Sequence, residues 1–167
     1  NPSRTDKLPP HPAALSLLAE AYRATGSTKR AIRLYKRALE IVPRQVGFAM
    51  GLAASRFGSG DTAAAITAME QLVREIPNFR DAEVQLIGMY VDSGRAQQAL
   101  SIATKISQAY PDDTQAQILF GVVLMQSGHY AEAERSFRRA EELDATDVLA
   151  RLAQLTDDVP LAIANYE

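Results

Sequence analysis

The chain has 167 residues, 47% hydrophobic and 23% charged, with a net charge of −2; this supplies enough apolar side chain for a continuous core and too little charge for disorder. It contains no cysteine, which excludes disulfides, thiolate metal sites and cysteine nucleophiles and leaves both reducing and oxidising compartments open. No apolar run approaches the roughly 18 to 20 residues of a membrane span, and the opening Asn1, Pro2, Ser3, Arg4 is not a signal peptide.

Residues 1–11, with Pro2, Pro9 and Pro10, read as an extended lead-in. From residue 12 onward one period governs the chain. Gly26, Gly60, Gly94 and Gly128 stand 34 residues apart, as do Ala31, Ala65, Ala99 and Ala133, and Pro9, Pro43, Pro77 and Pro111. Three residue types locked to one step in the 20–50 range indicate a solenoid of a repeated supersecondary unit. The units run 12–45, 46–79, 80–113 and 114–147, with Ala145 where a fifth proline would fall. Val, Ile and Thr never form alternating runs, so each unit reads as helix, tight turn, helix. Leu18, Leu52, Leu86 and Phe120 hold one position of the first helices, and Tyr22 and Tyr90 follow four residues on; this face is expected in the core. The glycine closes the first helix, because it takes the left-handed backbone of a C-terminal cap without steric cost. Ser27 and Asp61 are expected N-caps of the second helices, and the periodic alanine lets two helices approach closely. Pro43, Pro77 and Pro111 end those helices.

Beyond residue 147 the pattern returns early: Ala162, Ile163 and Tyr166 repeat the spacing of Ala31, Ile32 and Tyr35. Residues 148–167 therefore read as a shortened, truncated fifth unit, with a short helix near 148–156, a turn over Asp157 to Pro160 and another helix starting near 160. A chain stopping inside an apolar helix suggests a fragment of a longer array.

The 34-residue step, turn glycine, alanine and terminal proline resemble the tetratricopeptide repeat over residues 12–147. The resemblance is strongest at Phe120, Gly121, Gly128, Tyr130, Ala133, Phe137 and Ala140, and at Leu18, Tyr22, Ala31, Tyr35, Ala38 and Pro43. The second unit departs from it, with Arg56, Met69 and Leu72 in place of tyrosine, an aromatic residue and alanine. The resemblance implies an all-α, right-handed α-α superhelix of helix-turn-helix repeats whose concave surface binds another protein or peptide. The alanine-rich units are also similar to bacterial arrays of envelope systems that export exopolysaccharide, which places the periplasm or cell envelope ahead of the cytoplasm.

The concave lining falls on the first helices: Ser16, Glu20 and Arg23, then Met50, Ala54 and Phe57, then Val84, Gly88 and Val91, then Ile118, Val122 and Met125. From the second unit on this strip is apolar, with Gly47, Ala54 and Gly88 leaving room for a ligand backbone. It is expected to hold a peptide or amphipathic helix; burial between repeats and self-association are the competing uses of the same residues. The carboxylate clamp of chaperone-binding members is not expected, because Ser16, Glu20, Gly51, Asp81 and Gln85 stand where it needs Lys, Asn and Arg. Residues 1–45 carry nine Lys/Arg against three Asp/Glu, and the remainder nine against seventeen. Such polarity can orient a charged partner or favour head-to-tail association, the basis of an alternative reading as a spacer or self-assembly segment. Lys29, Arg30, Arg33, Lys36 and Arg37 form a basic stripe on a second helix, but the sequence pI is 5.8 and Tyr35 is expected inside, so no nucleic acid partner is expected. His11 and His129 have no metal-spaced companions, His129 is expected to face solvent in its turn, and Asp112 with Asp113 reads as helix capping. Neither cofactor, metal nor enzymatic activity is expected.

Overall fold

A computed structural model describes residues 11–156, with side chains through Ala145. Eight helices follow one another: α1 (Pro12–Ala24), α2 (Thr28–Ile41), α3 (Val46–Gly58), α4 (Thr62–Glu75), α5 (Arg80–Asp92), α6 (Ala96–Ala109), α7 (Thr114–Gln126) and α8 (Tyr130–Thr156). Among the described residues there is no strand. The chain divides into two compact units, Asn1–Met89 and Tyr90–Glu167. In the first, α1 packs on α2, α2 on α3 and α3 on α4; in the second, α6 packs on α7 and α7 on α8.

The glycine turns share one geometry. Gly26, Gly60, Gly94 and Gly128 have φ between +74° and +90°, the region that costs a side chain most. The following residue donates its N–H back to the last turn of the helix, Ser27 to Tyr22, Asp61 to Arg56, Arg95 to Tyr90 and His129 to Leu124, at 2.7 to 3.0 Å. This is the Schellman arrangement, which satisfies carbonyls that the helix end would leave open. The other connection works by exclusion. Val42, Ile76 and Tyr110 precede the prolines and sit at φ near −130° with ψ of 65° to 84°, out of the helical region as a following proline requires.

The periodic alanines mark the contact between the helices of each pair. Ala31, Ala65 and Ala99 are wholly buried and Ala133 is 1% exposed, so nothing larger than a methyl fits at these crossings. Around Ala31 the first unit assembles Ala19 and Tyr35, with Tyr22, Leu34, Phe48 and Leu52 against them. Ile66, Met69 and Leu86 are as deeply buried, each contributing about 1.5–3 kcal/mol by leaving water. Met69 thus fills the place of the aromatic residue from which the second unit departs.

Four expectations are corrected. Leu18 is 47% exposed, whereas its periodic partner Leu52 packs beside Tyr35 of α2; this position reaches back to the preceding second helix, and α1 has none before it among the described residues. Ser27 and Asp61 stand at N-cap positions without making the cap bond. Their ψ of 52° and 57° keeps them out of the extended region in which a side chain reaches the first turn, while Asp113, extended at ψ 112°, accepts from the Ala116 N–H at 2.9 Å. His129 is half-buried rather than open, with its Nδ1 enclosed. Finally, α8 runs unbroken for 27 residues, where a break before a short helix at 148–156 was expected. Ala145 replaces the proline that stops α2, α4 and α6, and alanine propagates a helix. The turn at Asp157 to Pro160, the helix near 160 and Ala162, Ile163 and Tyr166 lie outside the described residues.

Candidate partner-binding surfaces

In the first unit the candidate residues gather on α1, α3 and α5. Met50, Ala54 and Phe57 share one face of α3, all partly exposed, and α3 touches α1 directly. Val84, 38% exposed, and the open Gly88 occupy α5, which is tied to α3 where Gln85 Nε2 donates to the Met50 carbonyl at 3.4 Å. A Cβ added at Gly47 or Gly88 would meet nothing within 4 Å, so both leave backbone accessible.

A polar group closes this surface on α1. Arg23 Nε donates to Glu20 Oε2 at 2.6 Å, and that bond holds the Glu20 carboxyl below its ordinary range. The Tyr35 hydroxyl faces this pair. Burial, with the Glu20 charge beside it, pushes its pKa up to about 12. Gly51 explains how the ring gets there: a Cβ on Gly51 would land on the Tyr35 ring, so the glycine lets an aromatic residue of α2 lie flat against α3. Sequence reasoning placed Gly51 only as a missing clamp residue. Its signal was the pairing of a bulky residue at 35 with a vanishing one at 51.

In the second unit Ile118, Val122 and Met125 stand on one face of α7 at 37%, 40% and 44% exposure, and the partly exposed Val91 lies near the end of α5. The opposite side of α7 is core: Ala116, Val123 and Leu124 are buried. Gly121 repeats the Gly51 device within one hairpin, since a Cβ there would stand 2.7 Å from the Phe137 ring. Behind it Gln117 donates to the Pro111 carbonyl at 3.1 Å and accepts from Ser136 at 3.2 Å, which satisfies the buried polar groups and fixes the roll of α7 on α8.

Other candidates take structural places. The basic stripe Lys29, Arg30, Arg33, Lys36 and Arg37 is exposed on α2, with Arg30 5.4 Å from the centre of the Tyr22 ring. Asp112 pairs with Arg139 at 2.7 Å. Among the described residues no group of three or more His, Cys, Asp or Glu could hold a metal ion, and no helix is long and apolar enough to cross a membrane.

Hairpins of fixed length that bury one side of each first helix and leave apolar residues open on α3, α5 and α7 define a helical-repeat scaffold for protein–protein interaction. Profiles of the tetratricopeptide repeat match residues 12–55 and residues 90–156, together more than half of the chain. The chain belongs to the tetratricopeptide repeat family, whose members are typically non-enzymatic scaffolds with protein partners. The span between the two matches contains Arg56, Met69 and Leu72, where the pattern departs most. Among solved structures, MamA is 21% identical with a TM-score of 0.66, over 84% of this chain and 82% of that one. A thermophilic tetratricopeptide repeat protein of Thermus thermophilus is 23% identical with a TM-score of 0.65, over 93% and 88%. MamA of MSR-1 is 20% identical with a TM-score of 0.62, over 82% and 79%. At these identities the likeness is one of fold. No curated protein is a detectable sequence relative.

Proposed function

We propose that the chain holds an amphipathic helix or an extended peptide of another protein against the open faces of its first helices. In the first unit Met50, Ala54, Phe57, Val84 and Gly88 provide the surface; in the second Val91, Ile118, Val122 and Met125 do. The observation that carries the reading is the run Ile118, Val122 and Met125, each more than a third exposed on one face of a helix whose other face is core. Aligned apolar exposure of this kind is uncommon on a protein surface without a partner. Met125 and Phe57 supply adaptable and flat contact area, and Gly88 admits a peptide backbone. Nucleic acid is not proposed, because the exposed stripe of cations on α2 lies on a second helix and not on the first-helix faces.

The test is selection of peptides on the folded protein from a random library, followed by Val122→Asp and Val84→Asp. Both sites are exposed, so folding is expected to survive. Loss of binding with an unchanged melting temperature supports the reading; full binding by both variants contradicts it. A second reading, self-association, is favoured by Leu17 and Leu18, 72% and 47% exposed on α1. Light scattering at rising salt separates the origins: assembly driven by the opposed charges of the chain weakens with screening, and assembly through these leucines persists and is lost in Leu17→Glu.

A further inference from the structure

On α2 and α6 the second helix offers a face to the first helix that follows it. On α2 this face is Ile32, Tyr35 and Leu39, with Phe48 and Leu52 of α3 against Tyr35. On α6 it is Leu100, Ala103 and Ser107, and α7 leaves Ala103 at 0% and Ser107 at 7% exposure. Among the described residues the same face of α8 is open over Tyr130 to Glu141. It forms a cleft of about 600 Å³ over Met125, Tyr130 and Phe137, edged by Glu134, Arg138 and Glu141.

The 34-residue register shows that its chemistry has been changed. Ile32, Ile66 and Leu100 are followed by Glu134; Leu39, Val73 and Ser107 by Glu141; Val42, Ile76 and Tyr110 by Asp144. Three positions that carry uncharged residues in three successive repeats all become acids in the fourth, and two of them, Glu134 and Glu141, edge the cleft. Phe137 stands where Tyr35 does, and Tyr130 is 72% exposed. Arg138 offsets one of these charges through its 2.8 Å bond to Glu134, and the edge remains net acidic.

We propose that the open face of α8 is a second binding surface, meeting the α7 face at Met125, and that it takes a basic amphipathic helix of another protein. The seat is shaped for a helix, as its counterparts on α2 and α6 are. Its acids exclude the wholly apolar flank of an ordinary next repeat, since burying an unpaired carboxylate is costly, and they match Lys or Arg beside the apolar anchors.

Two synthetic helical peptides with identical leucine spacing, one completed with lysine and one with glutamate, are titrated calorimetrically into the whole protein. Binding of the lysine peptide alone, weakening as salt rises, is expected. Glu141→Lys and Tyr130→Ser, both at exposed positions, are each expected to weaken it about fivefold. No binding, equal binding of the two peptides, or an affinity indifferent to Glu141→Lys and Tyr130→Ser would overturn the proposal. So would concentration-dependent self-association abolished by Tyr130→Ser, which would make the occupant a second copy.

Discussion

Gly51→Ala and Gly88→Ala are the same chemical change in the middle of two first helices, and they are expected to act in opposite directions. Alanine in place of glycine inside a helix is worth about 1 kcal/mol through the unfolded chain and helix propensity. At Gly88 nothing lies within 4 Å of the added methyl, so the variant gains that amount. At Gly51 the methyl falls on the Tyr35 ring, whose side chain is 3% exposed and enclosed by Ala19, Ala31 and Phe48. Overpacking of this kind costs about 1–3 kcal/mol, and a buried ring with little room to withdraw places the cost at the upper end. Net destabilisation of about 2 kcal/mol for Gly51→Ala leaves the two variants about 3 kcal/mol apart, or roughly 6–12 °C in melting temperature for a chain of this size. Thermal unfolding by circular dichroism reads the difference directly. Tyr35→Ala is itself costly, but adding Gly51→Ala to it removes the clash and is expected to restore the helix gain. Equal stabilisation by Gly51→Ala and Gly88→Ala, or no coupling to Tyr35, would refute the claim that Gly51 exists to admit the ring.

Gly60→Ala is expected to lower stability by about 1 kcal/mol through backbone conformation alone, since its φ is +90° and no atom would touch the methyl. Asp113→Ala removes a formed N-cap and is expected to cost about 1 kcal/mol, while Ser27→Ala and Asp61→Ala cost much less; chemical denaturation of the three variants compares them. Tyr35 is neutral in the folded protein to about pH 12 but ionises near pH 10 when exposed. Its contribution is therefore complete below pH 10 and lost as pH rises toward 12, and Tyr35→Phe is expected to flatten the alkaline fall in melting temperature over that window. Glu20 has the opposite sign: its carboxyl is lowered by Arg23, so its small, half-exposed contribution is lost on acidification.

The period was legible because each marker answers a local backbone requirement. A left-handed residue at Gly26, a methyl at Ala31 and a helix stop at Pro43 depend little on the rest of the chain, and so they recur. What depends on a partner helix was not legible. Leu18 and Leu52 share a position, and only the presence of a preceding second helix decides which is covered. Gly51 is an empty place in the clamp pattern, and only the packing of α2 on α3 brings Tyr35 into it. Ser27 and Asp61 have the right chemistry for capping, yet their ψ, set by the preceding glycine turn, turns the side chain away. Ala145 stands where a fifth proline would fall, and its consequence, a helix that continues past the end of the fourth period, follows from what alanine permits. The open residues of α7 follow from the spacing of Ile118, Val122 and Met125, whereas the acids on α8 gained meaning only when the equivalent faces of α2 and α6 were found covered.

The most direct test of the first-helix surfaces is hydrogen exchange of the whole protein with and without a peptide selected for binding, read by mass spectrometry over α3 and α7. The expected result is slowed exchange over Met50–Phe57 or Ile118–Met125, abolished by Val84→Asp or Val122→Asp in the corresponding unit. Protection confined to α2, α4 and α6, with α3 and α7 unchanged at saturation, would contradict it.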